Sequence, residues 1–139
     1  MVSLLMAHMS TSSQTYVAVI DDESQLCTAL SRLLRVAGFQ PIAYSSAEAF
    51  VADEKRPQFD CLVLDIRLGG MSGLDLLRQL AADGPHAPVI VITAFDDPDI
   101  RVQATALGCA GFFRKTTPGS EIVDAIRALS LGRIRQTRG

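Results

Sequence analysis

Three short runs of the chain are apolar at every position: Tyr16-Val17-Ala18-Val19-Ile20, Cys61-Leu62-Val63-Leu64 and Val89-Ile90-Val91-Ile92. A run of four or five β-branched and aliphatic residues, with no polar residue to mark a solvent face, predicts a strand covered on both sides. Pro41 to Tyr44 and Gly111 to Phe113 are weaker strand candidates. Between these runs the apolar spacing changes to that of helices. Leu26, Leu30, Leu33, Leu34 and Ala37 fall on one face, and Gly38 follows where a left-handed residue would end the helix. Ser45-Ser46-Ala47-Glu48 has the form of a capping box opening a short second helix. Ser72 can cap a third helix carrying Leu74, Leu77 and Leu80. Asp97-Pro98 and Thr117-Pro118 each set a cap before a first-turn proline. They open helices bearing Ile100, Ala104 and Leu107, then Ile122, Ile126 and Leu129.

Five strands alternating strictly with five helices predict parallel strands joined by right-handed crossovers, hence a three-layer α/β fold with a five-stranded parallel sheet. One domain is expected over residues 15–131. Residues 1–14 are set aside as a leader: they hold three methionines and no basic start, unlike a signal peptide, and Ala7-His8-Met9 has the look of a cloning junction. Residues 132–139 read as a frayed tail or the start of a linker, with Arg133, Arg135 and Arg138 as solvated charges.

Composition narrows the function. With 48% hydrophobic and 20% charged residues the 139-residue chain is an ordinary globular sequence, and a net charge of -2 provides no basic footprint for nucleic acid. No apolar stretch is long enough to cross a bilayer. Cys27, Cys61 and Cys109 are odd in number and widely spaced. They form neither a disulfide framework nor a zinc motif, and a reducing cytoplasm is the expected compartment.

Chemistry in a parallel sheet gathers beyond the carboxyl ends of its strands. There the chain carries Asp21-Asp22-Glu23, Asp65, Thr93, and Arg114-Lys115. Each has an ordinary alternative as helix cap, turn residue, strand end or solvated charge; it is their joint placement that points to a site. Converging carboxylates raise one another's pKa unless a cation neutralises them. All-oxygen ligands suit Mg²⁺, which would shield an incoming phosphoryl group while one carboxylate attacks it. Thr93 is then a hydrogen-bond donor and Lys115 a point charge for phosphoryl oxygens.

These residues, in this order, resemble the receiver domains of bacterial two-component response regulators. The words carrying the resemblance are Val19-Ile20-Asp21-Asp22-Glu23, Leu64-Asp65-Ile66-Arg67-Leu68-Gly69-Gly70-Met71-Ser72-Gly73, Ile92-Thr93-Ala94 and Gly111-Phe112-Phe113-Arg114-Lys115. The resemblance spans about residues 15–131. It implies the flavodoxin-like strand order 2-1-3-4-5. It implies Asp65 as phosphoacceptor, and Mg²⁺, with Mn²⁺ able to substitute, on Asp22, Asp65 and the main-chain carbonyl of Arg67, Asp21 acting directly or through water. Thr93 and Lys115 would hold phosphoryl oxygens. Thr93 and Phe112 would be the switch that remodels the face made by the fourth helix, fifth strand and fifth helix. The implied partners are a histidine kinase or phosphotransfer protein and a second copy of the chain, with no membrane and no nucleic acid through this domain. Beyond its own phosphorylation and dephosphorylation no enzyme activity is implied. The chain is expected to be either a stand-alone regulator or the amino-terminal part of a DNA-binding transcriptional regulator.

Two positions depart from the family. Thr116 follows the lysine where proline with a cis bond is usual, so a trans, differently shaped loop is expected, with Lys115's reach in question. Gly69, four residues after Asp65, stands where proline is usual and makes a Gly-Gly pair that should loosen that loop. A phosphorylation-independent interaction module on the same fold is the alternative. An aspartate-nucleophile hydrolase is disfavoured because Arg67 stands where a second acid is expected. Nucleotide binding is disfavoured because no G-x-G-x-x-G or P-loop pattern follows the first strand.

Overall fold

The structure, a computed structural model, describes residues 14–95 and 97–138, and for 131–138 the backbone alone. Nearly all of the leader set aside above, residues 1–13, lies outside the described residues. The elements in chain order are β1 (Tyr16–Ile20), α1 (Ser24–Val36), β2 (Gln40–Tyr44), α2 (Ala47–Ala52), β3 (Cys61–Asp65), α3 (Gly73–Ala82), β4 (Val89–Thr93), α4 (Pro98–Ala106), β5 (Gly111–Arg114) and α5 (Gly119–Arg138). The strands form one sheet in the order β2-β1-β3-β4-β5, and every pairing is parallel. This is the expected three-layer α/β architecture in flavodoxin-like order. None of the described helices is long and apolar enough to span a membrane.

The apolar runs become the inner strands because their alternate residues serve two different cores. Val17, Val19, Cys61, Val63, Ile90 and Ile92 pack on one side with Leu30 and Leu34 of α1 and Ile122 and Ile126 of α5. Ala18, Ile20, Leu62, Leu64, Val89 and Val91 pack on the other with Phe50 of α2, Leu74 and Leu77 of α3 and Ala104 of α4. β3 and β4 are buried at every position, whereas β2 and β5 form the half-exposed edges. That is why the edge strands were the weaker signals in the sequence.

Most local signals act as read. Gly38 ends α1 with φ +96°, Ser72 Oγ accepts from the Asp75 N–H, and Asp97 caps α4 with Pro98 in its first turn. Four expectations need correction. The buried face of α1 is Cys27, Leu30, Ser31 and Leu34, while Leu33 is 42% exposed; packing against the sheet and α5 selects between two overlapping stripes of the same spacing. The cap of α2 is Ser46, which accepts from the Ala49 N–H, so Ser45 and Glu48 form no capping box. α5 opens at Gly119, one residue beyond Pro118. Its backbone runs on as helix to Arg138, through the stretch read as a frayed tail, because arginine-rich sequence favours helix once a docked turn has nucleated it.

Candidate phosphoryl and metal site

Sheet register brings the acids level. Ile20 of β1 pairs with Leu64 of β3, so the next residues, Asp21 and Asp65, leave adjacent strands at the same height. Asp65 in turn pairs with Ile92, which puts Thr93 one step further along β4. Thr93 pairs with Arg114, and the following N–H, that of Lys115, donates to the Thr93 carbonyl at 2.7 Å. Four neighbouring strands thus deliver their terminal side chains to one edge.

Oxygens of Asp21, Asp22 and Asp65 lie within 4.8 Å of one another, with Asp21 and Asp65 buried and Asp22 exposed. The Arg67 N–H holds Asp65 Oδ1 at 3.0 Å, and the Glu23 N–H holds Asp21 Oδ1 at 2.9 Å. Both bonds run from a residue two positions on, so each carboxylate is fixed by its own turn.

Lys115 enters this cluster. Its Nζ lies 2.9 Å from Asp65 Oδ2, 2.6 Å from Glu23 Oε1 and 3.2 Å from both oxygens of Asp21. The hydrogen bond to Asp21 runs to Oδ1, which leaves Oδ2 buried without one. Burial disfavours the charged ammonium, but the bonds to Glu23, Asp65 and Asp21 outweigh it and hold the lysine well above its usual range. Thr116 in place of proline does not keep Lys115 out: no peptide bond among the described residues is cis, and the ammonium still reaches Asp65. Glu23 is a partner that the sequence reading treated as a cap. Its side chain caps nothing, and only its place in the Asp-Asp-Glu run hinted at a role.

The fit to a hard divalent ion can be judged from the donors. Three carboxylates share a volume of ion size, and one buried oxygen, Asp21 Oδ2, lacks a hydrogen bond. The Asp21 carboxyl is raised to about 6, by burial first and by the charge of Asp65; the Glu23 N–H and Lys115 work against the rise. The residues fit Mg²⁺. Between the ordinary value of 3.8 and about 6 the native state holds a proton that the unfolded state has lost. Without divalent ions, stability therefore falls as pH rises through that window. Denaturant midpoints measured with and without Mg²⁺ should show the fall for the wild type, its removal in Asp21→Asn, and its reduction by Mg²⁺.

Thr93 is buried, and its hydroxyl is engaged locally: it donates to the Phe95 carbonyl at 2.9 Å and accepts from the Phe95 N–H at 3.2 Å. Phe112 is half-buried against the α2–α4 core, with the Arg101 guanidinium 5.2 Å from its ring centre. The guanidinium of Arg67 lies 4.8 Å from the ring centre of Phe95, which is exposed.

Residues 17–127 match the family model described as response regulator receiver domain. The chain is 38% identical over 121 residues to the response regulator protein TodT of Pseudomonas putida, covering 87% of this chain and 53% of TodT. It is 40% identical over 117 residues to the transcriptional regulatory protein FixJ of Azorhizobium caulinodans, covering 84% and 55% respectively. The chain thus spans about half the length of these curated relatives. Among solved structures, the one titled FixJ-N is 34% identical with a TM-score of 0.76, covering 85% of this chain and 94% of that one. A CheY-like receiver domain protein from Methanospirillum hungatei superposes with a TM-score of 0.83 at 18% identity, covering 89% and 99%, a likeness of fold.

Proposed function

The chain belongs to the response regulator receiver domains, and on that premise we propose that residues 15–131 form a domain that takes a phosphoryl group from a histidine kinase or phosphotransfer protein onto Asp65. The observation carrying this is the buried Asp65 carboxylate, held by the Arg67 N–H on one oxygen and Lys115 on the other, beside two further acids.

The chemistry is an in-line displacement. An Asp65 oxygen forms a bond to phosphorus as the bond from phosphorus to the donor histidine nitrogen breaks. The electron pair stays on the imidazole, and Asp65 becomes an acyl phosphate. The residues that would hold Mg²⁺, or Mn²⁺ in its place, are Asp22, Asp65 and the Arg67 main-chain carbonyl, with Asp21 direct or through water. The ion would supply charge neutralisation to the phosphoryl oxygens. Lys115 already touches the attacking group, so it need shift little to pair with a phosphoryl oxygen.

The signal runs through Thr93. Its hydroxyl can donate to a phosphoryl oxygen only by giving up its bond to the Phe95 carbonyl, which loosens the chain leading into α4. A charge-assisted bond to phosphate is stronger than the neutral bond lost, so phosphorylation favours the rearranged state. Phe112, turning inward, reports by packing alone, since it has no hydroxyl. The altered face of α4, β5 and α5 serves a second copy of the chain or an output partner. The protein acts in the cytoplasm, as the amino-terminal part of a transcriptional regulator, which FixJ of Azorhizobium caulinodans is by its name. The phosphorylation-independent reading loses its one support, because Lys115 reaches the pocket despite Thr116.

The test is incubation with a small phosphoryl donor such as acetyl phosphate. One alkali-labile phosphoryl group per chain is expected, present with Mg²⁺ and absent with a chelator. Beryllofluoride with Mg²⁺ should shift the NMR signals of Thr93 and Phe112. A chain that takes up no phosphoryl group with Mg²⁺ present overturns the reading.

A further inference from the structure

Between Asp65 and α3 the chain makes a loop containing two glycines. At its start the Arg67 N–H donates to Asp65 and the Leu68 side chain is buried. Its end is fixed by the Gly73 N–H on the Ile66 carbonyl and by the Ser72 cap. Between Leu68 and Ser72, among the described residues, one main-chain polar group is tethered: the Met71 N–H, which donates to Glu48 Oε2 at 3.0 Å. Glu48 lies in the first turn of α2, 23 residues away.

The contact is interlocked. Gly70 sits at φ +72°, and the space a β-carbon would take there is filled by the same Glu48 carboxylate, whose Cδ would be 3.2 Å away. Glu48 is exposed, yet it behaves unlike a solvated charge: the Met71 N–H lowers its pKa, the direction expected for a carboxylate held in ionised form by a donor. An untethered Gly-Gly segment would sample many conformations, and the carbonyl of Arg67 lies just upstream of it.

We propose that Glu48 is a positioning residue for the phosphoryl site: its carboxylate staples the Gly69-Gly70-Met71 segment and thereby holds the loop that presents the Arg67 carbonyl. The staple does the work that a rigid proline would do at residue 69. The proposal rests on the phosphoacceptor reading and deepens it.

The experiment compares the wild-type chain with Glu48→Ala and Glu48→Gln by amide hydrogen exchange at Met71, Mg²⁺ titration followed by NMR, and melting without metal. In Glu48→Ala, Met71 exchange should rise at least about tenfold and Mg²⁺ binding weaken about tenfold, the lower end of the range for loss of a group that orients a metal ligand. The melting midpoint should hardly move, because the side chain is exposed. Glu48→Gln keeps an acceptor oxygen and should lie between. A Glu48→Ala chain with unchanged Met71 exchange, or with faster exchange and unaltered Mg²⁺ affinity, overturns the proposal and leaves the phosphoacceptor reading standing. A large drop in melting midpoint would make Glu48 merely structural and also overturns it. A wild-type chain that binds no Mg²⁺ overturns both.

Discussion

Asp65→Asn is expected to reduce phosphoryl uptake by at least roughly 10³-fold, since it replaces the attacking carboxylate with a poor amide nucleophile. The fold should survive. Asp65 lies beside the buried Asp21, whose carboxyl it helps raise, so removing its charge relieves a like-charge contact as well as costing the ion pair to Lys115. The same change takes the metal cluster from three acids to two, and Mg²⁺ affinity should drop with it. Mass spectrometry after incubation with acetyl phosphate reads the first effect, and melting without metal reads whether the domain is intact. Asp22→Asn separates the roles. It keeps the nucleophile and loses an exposed ligand, so uptake should be slowed but recoverable by raising Mg²⁺, which Asp65→Asn cannot show. Normal phosphorylation of Asp65→Asn would mean that another residue is the acceptor.

Gly73→Ala should be the most damaging of the glycine substitutions near the site. A β-carbon there would overlap the Asp65 carbonyl oxygen and lie 2.8 Å from Ile66 Cα and 2.9 Å from the Asp65 carbonyl carbon. These are backbone atoms, of Asp65, the proposed phosphoacceptor, and its neighbour, so no rotamer change can relieve the clash. Forced overpacking of this kind costs about 3 kcal/mol, a fall in melting midpoint of about 10 °C. The displaced backbone is that of Asp65 itself, so phosphoryl uptake should suffer beyond the loss of stability. Gly69→Ala is the matched control. Open space surrounds its β-carbon position, and its effect should stay within about 1 kcal/mol. Equal melting of the two variants would refute the close approach of α3 to β3.

The site was legible because its chemistry follows the residues that are easiest to read. Apolar runs as uniform as Val89 to Ile92 mark strands, and the next polar residue must emerge at the sheet edge. What the sequence cannot carry is level and direction. Nothing in it says that Ile20 pairs with Leu64, which is what sets Asp21 against Asp65. Nor does it say that the Thr93 hydroxyl is turned to the Phe95 main chain. Leu33 was placed on the buried face of α1 because a leucine at helical spacing satisfies two overlapping stripes. The core selects Cys27 and Ser31, weaker hydrophobes that lie where the sheet is. Glu48 looked like half of a capping box because the local pattern fits, whereas its real partner lies 23 residues on, beyond the range of any local rule. Glu23 was hidden in the same way, its ion pair to Lys115 joining the two ends of the fold.

Lys115 sits among Asp21, Glu23 and Asp65 as a cation tied to the chain. The pocket at rest is therefore not a bare anionic hole awaiting its first counter-charge. On the proposed reading, a divalent ion binding these acids would compete with an ammonium already there, which would temper its hold. After loss of a phosphoryl group, the same ammonium would again pair with the acids it touches here. A mark that must be both written and erased is well served by a surface that restores its own electrical balance.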